Sequence, residues 1–149
     1  MECMEALRKP GMIHTKAMCI ITHDKKILAT RGQDDVKNEL FYRLIGGGVH
    51  YCEDARDAVI REVREELESE LDSVRFLGVI QNIFTYQGKP GHEIIFLYSG
   101  ELERIELFEE TEIPIADHPA TRAVWISIES VLAGQVRLYP VADYSKYLA

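Results

Sequence analysis

Over most of this chain, apolar positions fall into runs of strand length separated by polar turns. Residues 16–22 (KAMCIIT) form an apolar run suited to a buried strand, and residues 27–30 (ILAT) form a second. His23-Asp24-Lys25-Lys26 lies between them as a turn, so the two runs predict a hairpin. Residues 32–39 (GQDDVKNE) are mostly polar and predict a surface loop of the kind that often carries recognition. Residues 40–45 (LFYRLI) predict a strand running into Gly46-Gly47-Gly48. A long strand over 73–86 is predicted to break or bulge near Gly78. Residues 87–91 (QGKPG) then turn the chain into a strand over 92–102, giving a second hairpin. The acidic stretch 101–119 reads as a mobile loop with a short helical turn. Residues 123–126 (AVWI) read as a short strand, and Ser127 caps a helix that Gly134 ends. The tail from Gln135 holds Tyr139, Tyr144 and Tyr147, which cover a sheet edge or a partner chain.

Behind the glycines the pattern is helical. At about 100° per residue, Ala55, Ala58, Val59, Val63 and Leu67 share one apolar arc. Glu62 and Glu66 fall inside that arc, about 40° apart, and Glu65 lies at its edge. The order of elements is hairpin, strand, glycines, long helix, long hairpin, loop, strand and helix, an α/β pattern with one mixed sheet between helices.

Carboxylates on a core-facing stripe need a partner, because ionised groups are rarely buried alone. Side chains at i and i+4 lie about 5–6 Å apart at Cβ, so Glu62 and Glu66 can converge on one divalent cation. Oxygen ligands of this kind suit Mg²⁺ or Mn²⁺. The bland alternative is a solvated helix held by pairs such as Arg61–Glu65. Glycines without Cβ atoms let the backbone approach a diphosphate or simply turn tightly. Glu53-Asp54 opens the helix, where negative charge meets the positive dipole end. Arg31 and Arg43 flank the polar loop, either as donors to a substrate phosphate or as ordinary surface arginines. His50 reads as an exposed loop residue with a contact to substrate or metal as the alternative, and Glu93 as a strand-edge charge or an added site carboxylate. Phe84, Tyr86 and Tyr98 either stack on a base or pack in the sheet core.

The stretch resembles the Nudix box, G-x5-E-x7-R-E-U-x-E-E-x-G-U with U aliphatic. Gly47, Glu53, Arg61, Glu62, Val63, Glu65 and Glu66 match it in register. Glu68 and Ser69 replace its final glycine and aliphatic residue, and Cys52 stands where such proteins often carry glycine. The resemblance implies an α/β/α sandwich with a mixed central sheet. It implies a Mg²⁺-dependent hydrolase, with Mn²⁺ as the other candidate ion, that cleaves the diphosphate linkage of a nucleoside diphosphate joined to another group. Glu62, Glu65 and Glu66 would hold the metal, Glu65, Glu62 and Arg61 would serve catalysis, and Glu53 would support the metal network or the glycines. Gly46, Gly47, Gly48, Arg31 and Arg43 would meet substrate. A further carboxylate would come from Glu93, Glu112 or Asp117. The broken end of the box motivates the alternative, a non-catalytic nucleotide-binding module on the same fold.

The 149 residues, 46% of them hydrophobic, suffice for one core and not comfortably for two. Residues 1–15 read as a leader without the apolar stretch of a secretory signal, and 16–149 as a single domain. No apolar run approaches the roughly 20 residues of a membrane span. The net charge of −8 disfavours an extended nucleic-acid surface and leaves a small nucleotide as partner. Cys3, Cys19 and Cys52 show no metal spacing, which predicts a reduced, cytoplasmic setting. A homodimer through the Tyr-rich tail stays open.

Overall fold

The computed structural model describes residues 11–148, and its first strand, β1 (His14–Ile20), is buried from Lys16 onward. Successive side chains of a strand point to opposite faces. Ala17 and Cys19 accordingly enter one core, while Met18 and Ile20 enter another on the opposite face. The strand starts at His14, two residues before the expected position, and the first ten residues of the expected leader lie outside the described part.

A short strand, β2 (Thr22–His23), turns through Asp24 and Lys25, both at positive φ, into β3 (Lys26–Asp34). The region expected to be a polar loop is instead the end of a hairpin. β3 pairs with β4 (Glu39–Gly48) as far as Asp34↔Glu39, leaving 35–38 as the turn. Asp34 makes this turn: its carboxylate accepts from the backbone N–H groups of Val36 and Lys37, and on its other oxygen from Gln87. Gln87 in return accepts from the N–H of Asp35, so the tips of two hairpins are tied together.

β4 changes partner along its length. Residues 39–44 pair with β3, and 45–48 pair with β1, so the three glycines are strand residues. Helix α1 (Ala55–Leu67) follows, with Asp54 as its N-cap, accepting from the Arg56 N–H. It buries Ala58, Val59, Val63 and Leu67 against the sheet, and Glu62 and Glu66 are buried with them.

β5 (Leu71–Tyr86) and β6 (Lys89–Leu102) form the long hairpin, with the expected irregularity between Phe76 and Gly78. β6 then runs parallel to β1. The expected mobile acidic loop holds a 3₁₀ turn (Ile105–Glu109) followed by two paired strands, β7 (Glu112–Ile115) and β8 (His118–Ser127). Ile113 and Ile115 are buried and anchor β7 despite its acidic surroundings. Ser127 caps α2 (Ile128–Leu132), and β9 (Leu138–Tyr139) adds to β4. The sheet runs β5-β6-β1-β4-β3-β8-β7. It is mixed, with α1 over one face and α2 and the tail residues Tyr144 and Tyr147 packed on the other core. No helix among the described residues is long and apolar enough to cross a membrane.

Candidate active site

The amphipathic register of α1 places Glu62 and Glu66 under the glycines of β4. Glu66 is 1% exposed and accepts the Gly46 N–H at 3.1 Å. Glu62 is 6% exposed, and its Oε2 atom is buried without a hydrogen-bond partner. A Cβ on Gly47 would come within 2.4 Å of Glu62 Oε1, so the glycine leaves the space the carboxylate fills. A Cβ on Gly46 would meet the Ala17 carbonyl at 2.2 Å, and its φ of +147° is one that side chains rarely adopt. Gly48 has open space on that side.

Arg61 ties these parts together. Its Nε and Nη2 donate to the two oxygens of Glu53 at 2.8 and 2.9 Å, and Nη2 also donates to the Gly48 carbonyl. Nη1 donates to Glu62 at 3.1 Å and to Glu65 at 3.2 Å. Glu53 also accepts the His50 N–H, closing the turn between β4 and α1. The Arg61 hydrogen bonds hold the Glu53 carboxyl down to about 2. Burial pushes Glu66 up to about 8, and the Glu62 charge adds to the rise. Burial also raises Glu62, against the opposing pull of Arg61.

Glu65 lies on the outer side of the helix, with 43% of its side chain exposed against Arg61. Among the described residues, no three His, Cys, Asp or Glu side chains converge in the manner of a metal site. The buried, unpartnered Glu62 oxygen and the neighbouring Glu66 carboxylate are nonetheless hard donors of the kind a divalent cation takes.

The remaining candidates divide in two. Arg43 donates to Glu93 at 3.3 Å from a side chain only 12% exposed, and it also acts on the charge of Glu66. Glu93 is 1% exposed. Arg31 instead pairs with Glu112 at 3.0 Å on the exposed β3–β8–β7 side. Asp117 lies in the turn between β7 and β8. Of the three aromatics named from sequence, Phe84 and Tyr86 line a cleft with Phe41, Tyr139, Arg43 and Asn82, whereas Tyr98 packs in the core under α1. Asn82 and this cleft escaped the sequence reading, because an Asn within a strand carries no local signal and the rings come from three distant segments.

The chain matches the NUDIX domain over residues 12–144. No curated protein matches it. Among solved structures it is similar to a MutT NUDIX hydrolase from Burkholderia pseudomallei, at 22% identity and a TM-score of 0.59, covering 79% of this chain and 85% of that one. A NUDIX hydrolase from Nitrosomonas europaea aligns at 18% identity and a TM-score of 0.62 over 93% and 86% of the two chains. The MutT protein from Methanosarcina mazei Go1 aligns at 20% identity and a TM-score of 0.56 over 95% and 92%. These likenesses establish a common fold, and the domain match over most of the sequence establishes that the chain belongs to the NUDIX family.

Proposed function

We propose that the chain is a Mg²⁺-dependent hydrolase of the diphosphate linkage in a nucleoside diphosphate joined to another group. The domain match supports a general pyrophosphohydrolase activity. One observation carries it: Glu62 presents a buried carboxylate oxygen with no hydrogen-bond partner, beside the equally buried Glu66. A charged oxygen in that position is costly unless a cation completes it.

Glu62, Glu65 and Glu66 would hold Mg²⁺ or Mn²⁺. When bound, such an ion draws charge from diphosphate oxygens and makes a water acidic enough to act near neutral pH. The chain's own residues do the rest. Gly46 fixes Glu66 through its N–H, and Gly47 gives Glu62 its place. Arg61 bonds to Glu53, Gly48, Glu62 and Glu65 together, which sets the strand end against the helix. Glu65 is the accessible carboxylate, suited to take a proton from the attacking water. As that water bonds to phosphorus, the bridging P–O bond breaks and its electrons leave with the departing phosphate. Gly46, Gly47 and Gly48 let a diphosphate approach the backbone, and Arg43 brings a guanidinium beside it. Arg31 would meet a more distant part of the substrate.

Incubation with nucleotide sugars, ADP-ribose, dinucleoside polyphosphates and nucleoside triphosphates plus Mg²⁺ is expected to give cleavage of at least one. Glu66→Gln keeps the size and the hydrogen bond to Gly46, so it should fold normally and lose turnover. An active, folded Glu66→Gln overturns the assignment. Binding across the panel without cleavage would favour the alternative of a regulatory nucleotide-binding module.

A further inference from the structure

The long hairpin leaves part of one face uncovered. Residues 79–86 of β5 alternate, and Ile80 turns into the core that also holds Ile95. Val79 and Ile83 therefore lie on the opposite face of the sheet, the side on which α1 packs. Phe96, Ile94 and His92 of β6 stand across from Val79, Gln81 and Ile83. The helix reaches only the margin of this face: Phe96 is half-buried against its core, whereas Val79 is 54% and Ile83 69% exposed. Phe76, 57% exposed, carries the apolar surface past the bulge and meets Tyr98 and Phe96 at centroid distances of 5.5 and 6.5 Å. On the other side of β6, Thr15 lies opposite Ile94, and the exposed Ile13 precedes it. Among the described residues β5 pairs only with β6, so the sheet ends there.

Charge, polar pairing and size each bear on what covers this face. Residues 76–86 include no Asp, Glu, Lys or Arg, and Glu93, the one such residue between 92 and 100, is buried on the opposite face with Ile95. The whole chain carries −8, so two copies repel over most of their surfaces and approach closely only where charge is missing. A basic partner would instead be drawn to the acidic 101–119 stretch. The polar groups of the face are already matched. Gln81 and His92 bond each other at 3.0 Å across the strands, which lowers the cost of taking both out of water. At roughly 100 Å² each, Ile13, Phe76, Val79 and Ile83 open about 400 Å² of apolar surface, more than a monomer commonly leaves in one patch. A rim of equal area brings this to the roughly 800 Å² that each partner gives a standard interface.

We propose that this face is the interface of a homodimer. A two-fold axis sets Phe76, Val79 and Ile83 of one copy against the same uncharged face of the other. The tail, the other segment rich in large side chains, packs Tyr144 and Tyr147 on its own chain's core. The interface does not depend on the hydrolase reading.

Sedimentation equilibrium of the full chain between about 1 and 100 µM should show the mass rising from 17.0 kDa to twice that value. Ile83→Lys and Phe76→Lys put a charge at exposed positions, so both should fold, and each should weaken the dimer by about 10-fold or more. Leu132→Lys, exposed on α2 beside the tail, should leave the dimer unchanged. Raising salt from about 50 to 500 mM should tighten it, because screening removes the repulsion between two acidic chains. In the wild-type chain, amide exchange over 76–86 should slow between the two protein concentrations, a reading that needs no variant to fold. A chain that stays at 17.0 kDa at about 100 µM gives the face to something other than a second copy and overturns the proposal. A dimer that survives both hairpin lysines, that Leu132→Lys breaks, or that loosens in high salt overturns it as well.

Discussion

Three adjacent glycines meet three different surroundings, so their alanine variants should fail in different ways. Gly46→Ala forces a side chain onto the Ala17 carbonyl at a left-handed φ. It should cost about 2–4 kcal/mol in a denaturant titration. Gly47→Ala meets only the far end of Glu62, so stability should hold while turnover falls at least 10-fold. Gly48→Ala meets open space and should leave stability near wild type. The departures from the box also have a local reading. Cys52 and Glu68 stand at φ +64° and +52°, left-handed positions that glycine fills without steric cost. Glu68 closes α1 with its N–H on the Arg64 carbonyl, and Ser69 accepts from the Arg104 N–H, so neither departure disturbs Glu62 or Glu66. Glu68→Gly should raise stability by about 0.5–1 kcal/mol, net of the extra freedom of the unfolded chain.

Among the elements, α1 was the most legible. Its 3.6-residue period alone puts Glu62 and Glu66 on the buried side and Glu65 at the edge, and the structure agrees. The bulge near Gly78, the Ser127 cap and the opening of the helix at Glu53-Asp54 were equally local signals, although which of those two acids caps the helix came only from the structure. What could not be read locally was pairing. Gln33 and Asp34 are polar, yet they are strand residues because Leu40 and Glu39 lie opposite them. β7 alternates buried and exposed over only four residues, too few to stand out in an acidic tract. The aromatic cleft needs Phe41, Phe84 and Tyr139 brought together from three strands, which no window of sequence contains. The joint between β4 and α1 makes its own prediction. Arg61→Lys keeps one charge but cannot span Glu53, Gly48, Glu62 and Glu65 at once. It should cost about 2–3 kcal/mol by denaturation, since hydrogen bonds to charged groups are worth about 1.5–3 kcal/mol each and some survive. Turnover should fall with it.

For the whole molecule, the carboxyls of the site set opposite limits on stability. Glu53 is shifted down from 4.5 to about 2, so it contributes stability above its unfolded value, and that contribution is lost as pH falls towards 2. Glu66 is shifted up from 4.5 to about 8, so its contribution is full below 4.5 and is lost as pH rises through 8. Melting temperatures in chelator should therefore decline between about pH 5 and pH 8. Added Mg²⁺ should raise them more at pH 8 than at pH 6, because it binds the ionised form; an equal increment at both values would argue against a cation at Glu66. The tie between Asp34 and Gln87 bears on a different matter. It joins the two turns through the side-chain oxygens of Asp34 and Gln87, each accepting from backbone N–H groups of the opposite bend, so no other side chain of the turns takes part in holding the gap between them. Residues such as Val36 and Lys37 are thereby free to vary in lineages of this protein, whereas a single insertion in either bend would reset the aperture and, with it, the size of molecule admitted.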